Sequence, residues 1–71
     1  MYIPGVTLSP REIEVALNIA EGRTNKEIAE TLNISVGMVK NHIHTLNIKL
    51  RTSNRTEIAR IVFKTENEKK V

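Results

Sequence analysis

Lys40, Asn41 and His44 are the residues whose types and spacing suggest a chemistry. Asn41 and His44 are three apart and share one face of any helix that contains them, with Lys40 at its flank. A lysine ammonium suits guanine acceptors or a phosphate, and an asparagine carboxamide can bond adenine through two atoms at once. A histidine beside a polyanion is attracted to it when protonated. Other chemistries lack their parts. There is no cysteine, hence no thiolate and no disulfide. His42 and His44 are two residues apart and point about 200° apart on a helix, so they cannot chelate one ion. No nucleophile–base arrangement, phosphate-loop glycine run or carboxylate pair is present, and Glu12 and Glu27 serve as helix caps. The expectation is a protein that is not an enzyme and needs neither metal nor cofactor.

Charge is distributed unevenly around these residues. The 71-residue chain carries a formal +3, with a pI of about 9.6. Residues 1–30 hold three Lys/Arg and five Glu, a balance of −2. Residues 31–56 hold Lys40, Lys49, Arg51 and Arg55 and no acid, a balance of +4. A basic block of this kind suits a polyanion. The length allows one small domain, which buries only about 60% of its unfolded surface and gains from a partner. No apolar run approaches a membrane span and the N-terminus has no signal-peptide pattern. A soluble, cytoplasmic, nucleoid-associated protein is expected.

The elements that must position the basic block are four helices, with no strand and no repeat. Residues 1–7 form an irregular arm broken by Pro4 and Gly5. Ser9-Pro10-Arg11-Glu12 is a capping box with proline at the first helical position, and Leu8 and Ile13 are placed as a hydrophobic staple. That helix runs to about Glu21 and stops at Gly22, with Val15, Ala16, Ile19 and Ala20 inward. Thr24 to Glu27 is a second box, followed by Ile28, Ala29 and Leu32, and Asn33 ends the helix in a left-handed turn. Ser35 caps a third helix over about 36–50, with Val39, Ile43, Leu46 and Leu50 inward. Gly37, Asn41, His44 and Ile48 face the other way, flanked by Lys40 and Thr45. Asn54 to Glu57 is a third box, opening a helix with Ile58, Ala59, Ile61, Val62 and Phe63. Residues 65–71 read as a polar, frayed tail. Two helices joined by a three-residue break, the second of them basic, make a helix-turn-helix.

Residues 8–63 resemble the LuxR/GerE-type DNA-binding domain of bacterial transcription regulators. The matching runs are Leu8-Ser9-Pro10-Arg11-Glu12, Ala20-Glu21-Gly22, Asn25-Lys26-Glu27-Ile28-Ala29, Ile34-Ser35, Val39-Lys40-Asn41-His42, Lys49-Leu50 and Arg55-Thr56-Glu57. The resemblance implies an all-α four-helix bundle over 8–64, of the winged-helix-like type but without a wing. Its third helix enters the major groove and its fourth pairs two subunits. By position it implies base contacts from Lys40, Asn41 and His44. It implies phosphate contacts from Asn25 and Lys26 at the start of the second helix. Ser35, His42, Thr45, Lys49, Arg51 and Arg55 are further expected backbone contacts, with Lys49 and Arg51 open between phosphate clamps and solvated charges. Ile58, Ile61, Val62 and Phe63 wrap too far around the fourth helix for one small bundle to cover, which makes them the expected dimer seam. Met38 departs from the family, which usually has Thr there. Ala16 and Asn18 stand for larger apolar residues, Leu17 for a polar one and Ile48 for a basic one.

The expected function is therefore a sequence-specific regulator that binds double-stranded DNA as a homodimer and contacts RNA polymerase or a regulatory protein. Two alternatives stay open. A sigma-factor region that reads a promoter and touches RNA polymerase shares Ile34-Ser35-Val36-Gly37, Val39-Lys40 and His44. A protein-interaction module that has lost DNA binding would explain Ile13, Leu17 and Ile48. With a methionine at position 1, the chain is expected to resemble the small stand-alone members of the family, although a fragment of a larger regulator would look similar.

Overall fold

Each helix begins where a side chain satisfies its first free N–H groups. A computed structural model describes residues 3–68 and contains α1 (Pro10–Ala20), α2 (Asn25–Leu32), α3 (Val36–Leu50) and α4 (Arg55–Glu68). The fold is all-α. In α1 the Ser9 hydroxyl accepts from the Glu12 N–H at 3.1 Å, and the Ser9 N–H donates to Glu12 Oε1 at 2.7 Å. Thr24 and Glu27 repeat this reciprocal pair in α2, at 3.1 and 2.8 Å. In α3 the Ser35 hydroxyl accepts from the Met38 N–H, and methionine has nothing to return. The start of α4 differs from the box read in the sequence. Asn54 Oδ1 accepts from the Glu57 N–H, but the Glu57 carboxylate reaches one residue further back, to the Ser53 N–H.

The stops are as local as the starts. Gly22, Asn33 and Arg51 have φ of 81°, 56° and 56°, the left-handed region. After each, an N–H bonds a carbonyl five residues back: Arg23 to Asn18, Ile34 to Ala29, and Thr52 to Asn47. This turn absorbs the last free carbonyls of a helix. Glycine adopts it without cost and asparagine tolerates it, whereas Arg51 carries a Cβ penalty.

Val15, Ala16, Ile19, Ile28, Ala29, Val39, Leu46, Leu50, Ile58 and Val62 form the core, with Leu8, Leu32, Ile34, Ile43 and Ile61 packed at its margin. Burying a Val, Leu or Ile fully contributes about 1.5–3 kcal/mol relative to exposure. Asn18 is buried, and both ends of its carboxamide are satisfied. Its Nδ2 donates to the Glu14 carbonyl and its Oδ1 accepts from Arg23 Nη1, each at 2.8 Å.

Two expectations change here. The arm is partly ordered: Ile3 and Val6 form an isolated bridge around Pro4-Gly5, with Gly5 at φ 77°, and both pack on the core. The fourth helix continues through Glu68, well into the segment read as a frayed tail. Lys64, Glu66 and Glu68 are good helix formers, so polarity there does not signal disorder. Met1, Tyr2 and residues 69–71 of the expected arm and tail lie outside the described residues. No helix among the described residues is long and apolar enough to cross a membrane.

Candidate nucleic-acid interface

The buried line of α3 fixes what its other face presents. Val39 and Leu46 are fully buried and Leu50 nearly so, which turns Gly37, Asn41, His44 and Ile48 outward. Lys40, Asn41 and His44 are all exposed on α3, and among the described residues none of the three side chains is drawn into a hydrogen bond or ion pair. Their polar groups remain available to a partner. Val36, Met38 and Ile48 add exposed apolar area to the helix, Ile48 at 64%. His42 and Thr45 are half-buried at the flanks. The Ser35 hydroxyl oxygen is used as a cap, which leaves its proton to donate.

The start of α2 lies beside the start of α4. Arg55 Nη1 donates to Asn25 Oδ1 and Arg55 Nη2 donates to the Arg23 carbonyl, each at 2.6 Å. The first-turn N–H groups of Asn25 and Lys26 have no partner inside the helix, as is general for helix N-termini. Lys26 is exposed. Hydrogen bonds from the Thr24 N–H and hydroxyl hold the Glu27 carboxyl below its usual range, against a smaller opposing effect of burial.

The remaining basic residues expected at the backbone are not equivalent. Lys49 turns inward to a buried acid: its Nζ lies 2.9 Å from Glu12 Oε1 and 3.1 Å from the Thr7 carbonyl. Burial would raise the Glu12 pKa, but the Lys49 ammonium and the Ser9 N–H and hydroxyl outweigh it and hold the carboxyl below the ordinary glutamate range. Lys49 thus ties the end of α3 to the arm and to the start of α1. Arg55 ties α4 to α2. Arg51 is exposed and forms the left-handed stop of α3.

The stripe expected at the dimer seam also divides. Ile58 and Val62 are 0% and 2% exposed and belong to the core of the single chain, so they are not free to meet a second copy. Phe63 is 56% exposed and Ile61 half-buried. Phe63 joins Leu17, Ala20 and Val62 along a shallow apolar groove between α1 and α4, with Glu21, Glu66 and Asn67 at its border. The sequence reading missed the Glu12–Lys49 pair, the Arg55 ties and the Asn18–Arg23 bond. No local pattern marks contacts between residues 30 or 37 positions apart.

An exposed cationic and amide face on the second helix of a helix-turn-helix defines a class, and residues 6–62 match the family model of bacterial regulatory proteins of the luxR family. The chain belongs to this family. Over 57 residues it is 47% identical to the transcriptional regulatory protein LiaR of Bacillus subtilis, covering 80% of this chain and 27% of that protein. It is 45% identical over 53 residues to the putative HTH-type transcriptional regulator YhjB of Escherichia coli, covering 75% and 26%. It is 48% identical over 52 residues to the transcriptional regulatory protein LnrK of Bacillus subtilis, covering 73% and 24%. The chain spans about a quarter of the length of these curated relatives.

Proposed function

We propose that the chain is a sequence-specific, double-stranded DNA-binding transcription regulator that inserts α3 into the major groove and acts at the nucleoid. The observation that carries this reading is the outward, uncommitted set Lys40, Asn41 and His44, opposite the buried line of Val39, Leu46 and Leu50. Lys40 would take a guanine edge or a nearby phosphate, Asn41 an adenine edge, and His44 a base or phosphate further along the groove. Asn25, Lys26, Ser35, His42, Thr45 and Arg51 surround these residues as backbone contacts, which set register rather than sequence. Transcription regulators among the relatives support the assignment.

One recognition helix makes few contacts, and two-fold pairing doubles them, with half-sites about 34–36 Å apart. Phe63 and Ile61 are the residues of α4 available to pair two chains. RNA polymerase or another regulatory protein is a further proposed partner.

The test is selection of bound duplexes from random DNA, followed by binding at several salt concentrations. A recurring sequence bound with steep salt dependence is expected. Salt-independent binding, or no enrichment, overturns the reading. On the selected duplex Phe63→Glu should reduce two bound chains to one without loss of helical circular dichroism, whereas Val62→Glu should unfold the domain. A wild type that binds as one chain to a site without a repeat removes the pairing.

A further inference from the structure

Arg55 has the charge of a phosphate clamp, yet both ends of its guanidinium are already occupied. Nη1 holds the side-chain oxygen of Asn25 and Nη2 the carbonyl of Arg23, at 2.6 Å each. These acceptors lie on either side of Thr24, the N-cap of α2. Arg23 is held in turn by Asn18, a buried residue of α1, so the grip of Arg55 is braced from behind. A carboxamide whose oxygen is turned to the guanidinium presents its NH2 on the other side. An NH2 donor suits a phosphate, and a carbonyl turned outward would repel one.

We infer that Arg55 is a positioning residue for DNA-backbone binding: its guanidinium fixes the Asn25 carboxamide with the NH2 toward a phosphate at the start of α2. The inference rests on the DNA-binding reading and deepens it at one contact. Arg55 acts through Asn25 instead of meeting the phosphate itself, and the planar fork is what the task requires. Its two nitrogens span two acceptors at once, which a lysine ammonium on a flexible stem does not reproduce.

The charge-conserving variant separates the two roles. Binding of wild type, Asn25→Ala, Arg55→Lys and the double variant is measured on the duplex selected by the wild type and on a random-sequence duplex. Thermal unfolding is followed in parallel, and binding is read well below the midpoint of each variant. If Arg55 positions Asn25, Asn25→Ala and Arg55→Lys each lose roughly tenfold in affinity on both duplexes, the scale of a hydrogen bond to a charged group. The double variant then loses no more than either single one. If Arg55 is itself a clamp, lysine replaces it with near wild-type affinity, or the two losses multiply; either result overturns the inference. Wild-type affinity in Asn25→Ala also overturns it while leaving the DNA-binding reading intact. Failure of the wild type to bind any duplex removes that reading and the inference together. Should Arg55→Lys not fold, Arg55→Gln, which keeps a single NH2 donor, carries the same comparison with Asn25→Ala.

Discussion

The outward face of α3 and the joints around α2 and α4 contain the same kinds of side chain in opposite conditions. On α3, the Lys40, Asn41 and His44 side chains are exposed and make no bond among the described residues. At the joints, Lys49, Arg55 and Asn25 are bound at 2.6–3.1 Å to groups from other elements. A positive charge in a basic block is therefore either available to a polyanion or committed to holding the domain in shape. Committed residues should affect stability first, and available ones should affect binding alone.

Removing the most committed group should have the largest effect on folding. Glu12→Gln retains one oxygen for Ser9 or Lys49 but loses the charge, and should destabilise the domain by about 1–2 kcal/mol. That figure is discounted because the Lys49 side chain is 37% exposed and partly screened. The pH dependence has a definite sign. The folded carboxyl titrates below its unfolded counterpart, so its contribution is fully present above the ordinary glutamate range and is lost as pH falls through the lower folded value. Thermal midpoints of wild type and variant should converge at low pH and separate as pH rises. A constant gap would break the assignment.

Lys40→Ala should do the converse. It should leave the thermal midpoint unchanged and weaken binding to a selected duplex by about 1–3 kcal/mol if it reads a base. If Lys40 meets only phosphate, the loss should be similar on all sequences and the salt slope should shrink by about one. An unchanged affinity would remove Lys40 from the site. A smaller effect is expected from His44, which faces outward on the same helix. His44→Ala should change the sequence selected from random DNA at one or two positions while leaving general affinity nearly intact. An unchanged selected sequence would place His44 away from the base edges.

The smallest effect is expected where one residue belongs to both groups. Arg51 is exposed, yet it occupies a left-handed stop. Arg51→Gly should stabilise the domain by about 0.5–1 kcal/mol. If Arg51 also meets phosphate, the same change should reduce the salt slope on DNA by about one. A loss of stability would show that the side chain holds something the backbone cost conceals.

The pattern of what was legible follows sequence distance. Helix starts at Ser9, Thr24 and Ser35 and stops at Gly22 and Asn33 could be read because each depends on residues within one turn. The outward set on α3 followed from its apolar period. In α4 the apolar run was visible, but its division was not. Ile58 and Val62 are four apart and buried, while Phe63 is one step round the helix and exposed. Which positive charges are committed depends on partners in distant segments, so charge and spacing alone made Lys49 and Arg55 look like Lys40.

The turn between α2 and α3 has little slack. Three residues separate the helices, Asn33 takes one fixed left-handed conformation, and the Ile34 N–H closes onto the Ala29 carbonyl at 3.0 Å. A joint so constrained is a poor hinge, and the angle between the two helices is set before any duplex arrives. On the DNA-binding reading, the protein acts as a rigid template and mismatch in curvature is taken up by the nucleic acid. Sequences that bend easily, such as those with TA or CA steps beside the contacted bases, should then be favoured at positions no side chain touches.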